Sequence, residues 1–397
     1  MEIYQPAEDS FLLQKYIKRY AEGRVLDMGT GSGIQAKEAV KSSIVREVIA
    51  VDINKIAIEK LKSENIRKIK AIHSDLFENI EGKFNLIIFN PPYLPQDEGI
   101  ADEAIYGGKK GWEISERFFS QTNKHLVGNG KILFLFSSLT NKVKINQILS
   151  NYLFHHQELA KEKHHFEELY VYLIEKSTLL RKLEARGIEN ITYFNKGRRG
   201  IIFAGTFDKN QFIKSHLHSK LDFLKVAIKA TNPNSKVKNK IENESNWLKE
   251  LNKLNIGPRL LFMDADYFVY EFVEGPFMEN WIKTSSKKEI INALCDLFHQ
   301  CFKMDLLKVN KEEMHHPLKH VIMDKFSNPV MIDFEKCKIT EKPKNVTQLI
   351  EFVCRLRNEL EKKGIKVDSS YLRTISKEYK ISLNKNLIEK AINSLCG

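Results

Sequence analysis

Asn90-Pro91-Pro92-Tyr93 is the stretch of this chain whose residue types most directly imply chemistry. Proline lacks an N–H donor and fixes its own φ angle, so the tetrapeptide is stiff and lined by carbonyl oxygens. The side-chain carbonyl of Asn90 and the backbone carbonyl of Pro91 can both accept hydrogen bonds from a planar NH2 group. The nitrogen of such a group is a poor nucleophile, because its lone pair is delocalised. Fixing it for in-line attack acts through position and electrostatics rather than through strong base catalysis. Tyr93 adds an apolar wall for the planar group and can stabilise a cationic centre. Asn90, Pro91 and Tyr93 are therefore the catalytic candidates, with Pro92 completing the acceptor-binding set. A plain Pro-rich turn is the competing reading, and the residues upstream decide against it.

Asp27-Met28-Gly29-Thr30-Gly31-Ser32-Gly33 lies where a short apolar run passes into a helical pattern. Glycines there tolerate the turn's φ angles and let the backbone approach a ligand closely. The helix N-terminus behind them favours electron-rich ligand groups. A dinucleotide fingerprint would place its third glycine at position 34, which is Ile34. The spacing, acidic-x-Gly-x-Gly-x-Gly, instead resembles class I methyltransferases, which implies S-adenosylmethionine as cofactor. Asp52 ends the next strand, where a carboxylate can accept from both ribose hydroxyls. Asp75 follows the third, where it can receive an adenine amino group while Leu76 flanks the ring. The expected cofactor-binding set is thus Asp27, Gly29, Gly31, Gly33, Asp52, Asp75, Leu76 and Asn90.

Asn-Pro-Pro-Tyr serves methylation of both glutamine amides and adenine. Tyr4-Gln5-Pro6-Ala7-Glu8-Asp9-Ser10, followed by Phe11-Leu12-Leu13, resembles the N-terminal signature of the archaeal and eukaryotic branch of HemK/PrmC-like release factor glutamine methyltransferases. The resemblance covers about residues 2–176. It implies that the Glu8-Asp9 region folds over the cofactor and that the acceptor is the glutamine of the Gly-Gly-Gln loop in class I peptide release factors. It also implies a small zinc-ribbon activator protein as partner. An adenine-specific DNA or RNA methyltransferase is the alternative, although no DNA target-recognition domain is recognisable, and some relatives modify lysine.

The second half carries other chemistry. Val226-Ala227-Ile228-Lys229 matches the strand that bears the phosphate-binding lysine of protein kinases. Gly197-Arg198-Arg199-Gly200 reads as a short Gly-containing loop over phosphates, and Glu244 as the ion-pair partner of Lys229. Tyr270 to Gly275, with Glu271, reads as a hinge that receives adenine. Asp333, in Ile332-Asp333-Phe334-Glu335, reads as the metal ligand. Their order resembles atypical archaeal Ser/Thr kinases related to the Rio group and the KEOPS-complex kinase, over about residues 194–340. That resemblance implies ATP with Mg or Mn. One departure stands out: alignment puts His315 where kinases have the catalytic Asp and His320 where they have a metal-binding Asn. Glu313 or Asp305 could supply the missing carboxylate. A nucleotide sensor or docking module without phosphotransfer is the alternative.

These residues need a scaffold. Apolar runs at 25–27, 48–52, 70–73, 86–89 and 132–137 alternate with amphipathic stretches such as 53–65 and 112–126, which predicts parallel strands joined by crossover helices. Two further runs, near Leu153 and at 170–174, read as an antiparallel edge hairpin. The predicted fold class is α/β: a seven-stranded Rossmann-like class I methyltransferase domain at residues 1–177. An α+β protein-kinase-like domain follows at 178–397, strands first and helices after.

Bulk properties fit two soluble domains. At 397 residues the chain exceeds what one core usually serves. No apolar run approaches the roughly 20 residues of a membrane span and the N-terminus lacks a signal layout, so the expected location is cytoplasmic. The net charge of +12 leaves a nucleic acid or other anionic partner open. Five cysteines without a Cys-x-x-Cys pair argue against a zinc ribbon, and Cys295, His299 and Cys301 read as helix core rather than as a metal site.

Overall fold

A computed structural model describes residues 2–96, 106–164, 166–196, 200–208, 223–231, 240–312, 314 and 317–396. The chain divides into two compact units, Met1–Tyr193 and Phe194–Gly397.

The first unit runs α1 (Glu8–Tyr20), β1 (Gly23–Met28), α2 (Ile34–Ala39), β2 (Val45–Asp52), α3 (Lys55–Ser63), β3 (Ile69–His73), β4 (Phe84–Phe89), α4 (Glu113–His125), β5 (Leu126–Ser137), α5 (Lys142–Asn151), β6 (Phe154–Lys163), β7 (Glu168–Lys176) and α6 (Thr178–Ala185). Its sheet has the order β3-β2-β1-β4-β5-β7-β6. The first five strands pair in parallel, and β7 runs antiparallel between β5 and β6. Leu86 to Ile88 and Ile132 to Phe136 are fully buried, as expected of strands covered on both faces. Alternate side chains enter two apolar layers: Leu26 and Met28 join Phe89 and Phe118, whereas Val25 joins Leu12, Leu13 and Ile17 of α1. Strand order reverses between β1 and β4, so the crevice at their carboxyl ends is where a ligand can enter.

The division of the chain falls later than 177/178, inside β8 (Ile188–Lys196). The reason is visible at α6, which is tied to β7 by the buried Lys176 ammonium bonding Glu184 at 2.7 Å. The short helix therefore belongs to the first unit rather than opening the second.

In the second unit β9 (Gly200–Asp208), β10 (Phe223–Thr231), α7 (Lys240–Asn252), β11 (Leu260–Met263) and β12 (Tyr267–Glu271) follow. The sheet order is β11-β12-β10-β9-β8, and the pairs of β9, β10, β12 and β11 are antiparallel. Helices then dominate: α8 (Met278–Thr284), α9 (Lys287–Leu306), α10 (Asn345–Arg355), α11 (Arg357–Lys362), α12 (Ser369–Ser382) and α13 (Lys385–Cys396). Between α9 and α10 lie two small ladders: β13 (Val309–Asn310) with β16 (Lys338–Ile339), and β14 (Val321–Met323) with β15 (Pro329–Met331).

Helix α9 opens with a reciprocal cap between Ser286 and Glu289. Its Ile290, Ala293, Leu294, Leu297, Phe298, Cys301 and Met304 form one buried stripe at helical spacing. Each large apolar side chain there contributes roughly 1.5–3 kcal/mol by leaving water. Among the described residues no helix is long and apolar enough to cross a membrane.

Candidate active site

The loop after β1 is shaped by its glycines. Gly29, Gly31 and Gly33 all have positive φ, at 63°, 50° and 77°, a region that side chains disfavour. Asp27 stands just below, fully buried. Its Oδ2 accepts the Thr30 hydroxyl at 2.6 Å and the Ala36 N–H at 3.0 Å, which braces the loop against the first turn of α2. Burial pushes the Asp27 carboxyl up to about 7, against the lowering effect of those two hydrogen bonds.

Asp52 holds the other side of the loop, accepting from the Gly31 N–H at 2.7 Å and the Asn54 N–H at 2.8 Å. Each of its oxygens keeps acceptor capacity for a hydroxyl. Asp75 is joined by Arg117, at 2.7 Å. Leu76, at φ 47°, is buried beside it.

A cavity of about 460 Å³ runs from Gly29, Gly31, Asp52, Asp75 and Leu76 to Asn90, Pro91, Pro92 and Tyr93. The structure thus brings the predicted first-unit residues into one crevice, except Gly33, which does not line it and packs towards Leu61 and Lys37. Asp27 differs in role: the carboxylate oxygen placed by the structure serves the loop. In an unfolded chain it ionises near 3.8, in the folded chain near 7. Ionisation is therefore disfavoured by folding, and the stability linked to this group is complete below about pH 4 and drains away as pH rises towards about 7. Asp27→Asn is expected to leave Tm unchanged at about pH 4 and to raise it progressively towards about pH 8, measured by thermal unfolding across that range. A shift of equal size at every pH would contradict this.

The acceptor end is held from several elements. Asn90 Nδ2 donates to Asp9 Oδ2 of α1 at 2.8 Å. Asn90 Oδ1 is buried and accepts no hydrogen bond from the described residues. The Thr140 hydroxyl donates to the Tyr93 carbonyl at 2.9 Å. Burial, with the Asp9 charge second, pushes the Tyr93 phenol above its ordinary range, so the ring is a neutral wall.

Two glycines that sequence reasoning did not single out let the return of the chain close over this loop. A Cβ on Gly107 would stand 2.3 Å from the Gly111 carbonyl and 2.5 Å from the Pro92 carbonyl. One on Gly111 would stand 2.6 Å from the Tyr93 carbonyl. Their signal was present as the glycine cluster at 107, 108 and 111. Gly107→Ala is expected to shift Pro92 and to lower the turnover of the site about 10²-fold, read as a fall in kcat with cofactor affinity retained.

A second cluster sits in the second unit. Lys229 of β10 contacts Glu244 of α7 at 2.6 Å and Asp333 at 3.6 Å. Burial works against the Lys229 ammonium, but the two carboxylates hold it protonated above its ordinary range. Burial also works on Asp333, but Lys229, Lys311 and His320 keep its carboxyl low. Lys311 donates to the carbonyls of Ile332, at 2.8 Å, and of Asp333, which sits at φ 64°. Carboxylate oxygens of Glu244, Asp333 and Glu335 lie within 4.8 Å of one another, a donor set suited to a hard divalent cation. A Cβ on Gly200 would approach Lys229 Cε at 3.4 Å, so β9 passes over the ammonium stem. Glu271 pairs with Arg259 at 2.8 Å, and its N–H donates to the Arg259 carbonyl. Gly197, Glu313 and His315 lie outside the described residues.

Asp305 does not supply the missing carboxylate. It is fully buried, accepting from the Asn345 and Val346 N–H groups, the Asn345 amide and the Tyr379 hydroxyl, which anchors α10. Cys301 faces the apolar core of this unit, while His299 pairs with Glu389 at 3.3 Å.

Comparison with known proteins bears on the first unit. The methyltransferase small domain family model matches residues 8–169. A putative protein N5-glutamine methyltransferase of Methanocaldococcus jannaschii is 40% identical over 179 residues, which is 43% of this chain and 90% of that protein. A release factor glutamine methyltransferase of Deinococcus radiodurans is 34% identical over 131 residues, 30% of this chain and 46% of that one. Among solved structures, the E. cuniculi Mtq2-Trm112 complex, responsible for the methylation of eRF1 translation termination factor, has a chain that matches with 27% identity. That match covers 45% of this chain and all of the other, with a TM-score of 0.38. The family match ends inside the first unit, so the Lys229 cluster lies outside it.

Proposed function

Because the chain belongs to the methyltransferase small domain family, we propose that its first unit methylates the side-chain amide of a protein glutamine, in the Gly-Gly-Gln loop of a class I peptide release factor. S-adenosylmethionine is the methyl donor and supplies an electrophilic sulfonium methyl. The residues present fit it: a Gly-rich loop, two strand-end carboxylates and a cavity that reaches the acceptor loop.

One observation carries the reading. Asn90 Oδ1 is buried at the end of that cavity with no hydrogen-bond partner among the described residues, beside a loop of prolines with no N–H to offer. A buried carbonyl left unsatisfied costs free energy, and an incoming NH2 group recovers it. With the Pro91 carbonyl as second acceptor, the amide nitrogen is fixed in place and its lone pair aimed along the line of transfer. Tyr93 packs against the plane of the group and excludes water. Choice of glutamine rests on the N-terminal resemblance around Tyr4 to Ser10 and on the two glutamine-modifying relatives. The N-terminal resemblance also makes a small zinc-ribbon activator the expected partner. Labelled S-adenosylmethionine offered with release factor and with DNA or RNA in parallel tests the choice. Label on release factor, lost when its Gly-Gly-Gln glutamine becomes alanine, is expected. Label on nucleic acid alone would replace the reading with adenine methylation.

For the second unit the reading is an atypical kinase-like module that binds ATP with Mg or Mn. It is supported by the Lys229–Glu244 pair, which presents an ammonium for phosphate oxygens, and by the carboxylates of Glu244, Asp333 and Glu335. Calorimetric titration with ATP and Mn2+ should show binding that Asp333→Ala removes. Binding without transfer of labelled phosphate would leave a nucleotide sensor.

A further inference from the structure

A side-chain amide offers a carbonyl on one edge and an NH2 on the other, and only the carbonyl edge can receive an acceptor's N–H. We infer that Asp9 is the positioning residue that decides which edge Asn90 presents: its carboxylate holds the Asn90 NH2 and thereby turns Oδ1 into the acceptor pocket. The inference rests on the methyl transfer to a planar NH2 group proposed above.

The geometry is one-sided. Asn90 Nδ2 reaches Asp9 Oδ2 at 2.8 Å, and an ionised carboxylate can only accept. The opposite amide orientation would set Asn90 Oδ1 against a carboxylate oxygen, exchanging a charge-assisted hydrogen bond for repulsion. Asp9 itself cannot turn away. It is buried in the first turn of α1, where the helix N-terminus favours an anion. Its Oδ1 accepts the Ser10 N–H at 2.5 Å and the Ser10 hydroxyl at 3.2 Å, and the Tyr4 hydroxyl donates to both oxygens, at 3.0 and 3.1 Å.

Those donors also define what Asp9 does not do. A carboxylate has about four acceptor sites, and Tyr4, the Ser10 N–H, the Ser10 hydroxyl and Asn90 occupy them. Asp9 is left with no free edge from which to take a proton from a substrate. Donation to an anion further polarises the Asn90 amide and makes its carbonyl a stronger acceptor. The N-terminal segment and the acceptor loop, far apart in the chain, thus form one relay from Tyr4 through Asp9 to Asn90.

The test uses the full chain with two readouts. With asparagine side chains labelled with 15N, the Asn90 NH2 signal should be shifted and protected from exchange in the wild type, and lose both features in Asp9→Ala. In methyl transfer to release factor, Asp9→Ala should lower kcat about 10²-fold, leaving KM and the Kd for S-adenosylmethionine within about threefold. Asp9→Asn keeps an acceptor oxygen and should recover to within about tenfold of wild type. In an Asn90→Ala background, Asp9→Ala should add no more than about twofold. An unmoved Asn90 signal, wild-type kcat in Asp9→Ala, or additive losses in the double variant would overturn the proposal. Should the wild type transfer nothing to release factor, the glutamine reading fails, and the NMR readout still decides the role of Asp9.

Discussion

Asn90→Ala is expected to lower the rate of methyl transfer about 10³-fold while S-adenosylmethionine binds with nearly unchanged affinity. The separation follows from where the contacts lie. The cofactor end is built from the Gly29 to Gly33 loop, Asp52, Asp75 and Leu76, none of which relies on the Asn90 side chain. The acceptor end relies on it heavily. Asn90 Oδ1 is one of two carbonyls that can hold the acceptor nitrogen, and its removal leaves the Pro91 carbonyl alone. It also leaves the Asp9 carboxylate without one of its donors. Removing a single preorganised polar contact at a reacting centre typically costs 10²–10³ in rate. Single-turnover transfer alongside calorimetric cofactor titration separates the two effects. A rate within about tenfold of wild type would remove Asn90 from the mechanism.

Lys229→Met is expected to destabilise the second unit by about 3–5 kcal/mol, because it strands buried charge. Glu244 is 5% exposed and Lys229 is its 2.6 Å partner. Without the ammonium, the buried Glu244 carboxylate faces the carboxylate of Asp333. A like-charge pair of this kind must take up a proton or open the structure. The double variant Lys229→Met with Glu244→Leu removes both members of the pair and should recover most of the loss. Hydrogen exchange at α7 and β10, measured in both variants, reads this directly. Equal protection in the wild type and in Lys229→Met would show that the pair contributes little.

What was legible in the sequence was whatever a local pattern can encode. The strand runs of the first unit and the Gly-rich turn after β1 depend on residues adjacent in the chain, and the structure places them close to the expected bounds, except that β5 begins at Leu126, six residues before the expected Ile132. The rigid Asn90 to Tyr93 loop is local in the same way. Asp27 was legible as a site residue but not as a brace, because its role is set by the Thr30 hydroxyl and the Ala36 N–H that fold back on it. The hydrogen bond between Asp9 and Asn90 joins α1 to the end of β4, and no periodicity can announce a contact of that span. Arg117, which meets Asp75 from α4, was hidden for the same reason. Asp305 shows the converse error. A lone acid near a suspected site reads as chemistry, yet four donors from α10 and α12 hold it as a helix anchor.

The atom that receives the methyl group decides most directly between the glutamine reading and its alternatives. Mass-spectrometric mapping of release factor after incubation with the full chain and S-adenosylmethionine identifies it. The expected result is a methyl group on the side-chain nitrogen of the Gly-Gly-Gln glutamine, absent when Asn90→Ala replaces the wild-type chain. A methyl group found on a lysine, or one placed undiminished by Asn90→Ala, would contradict it.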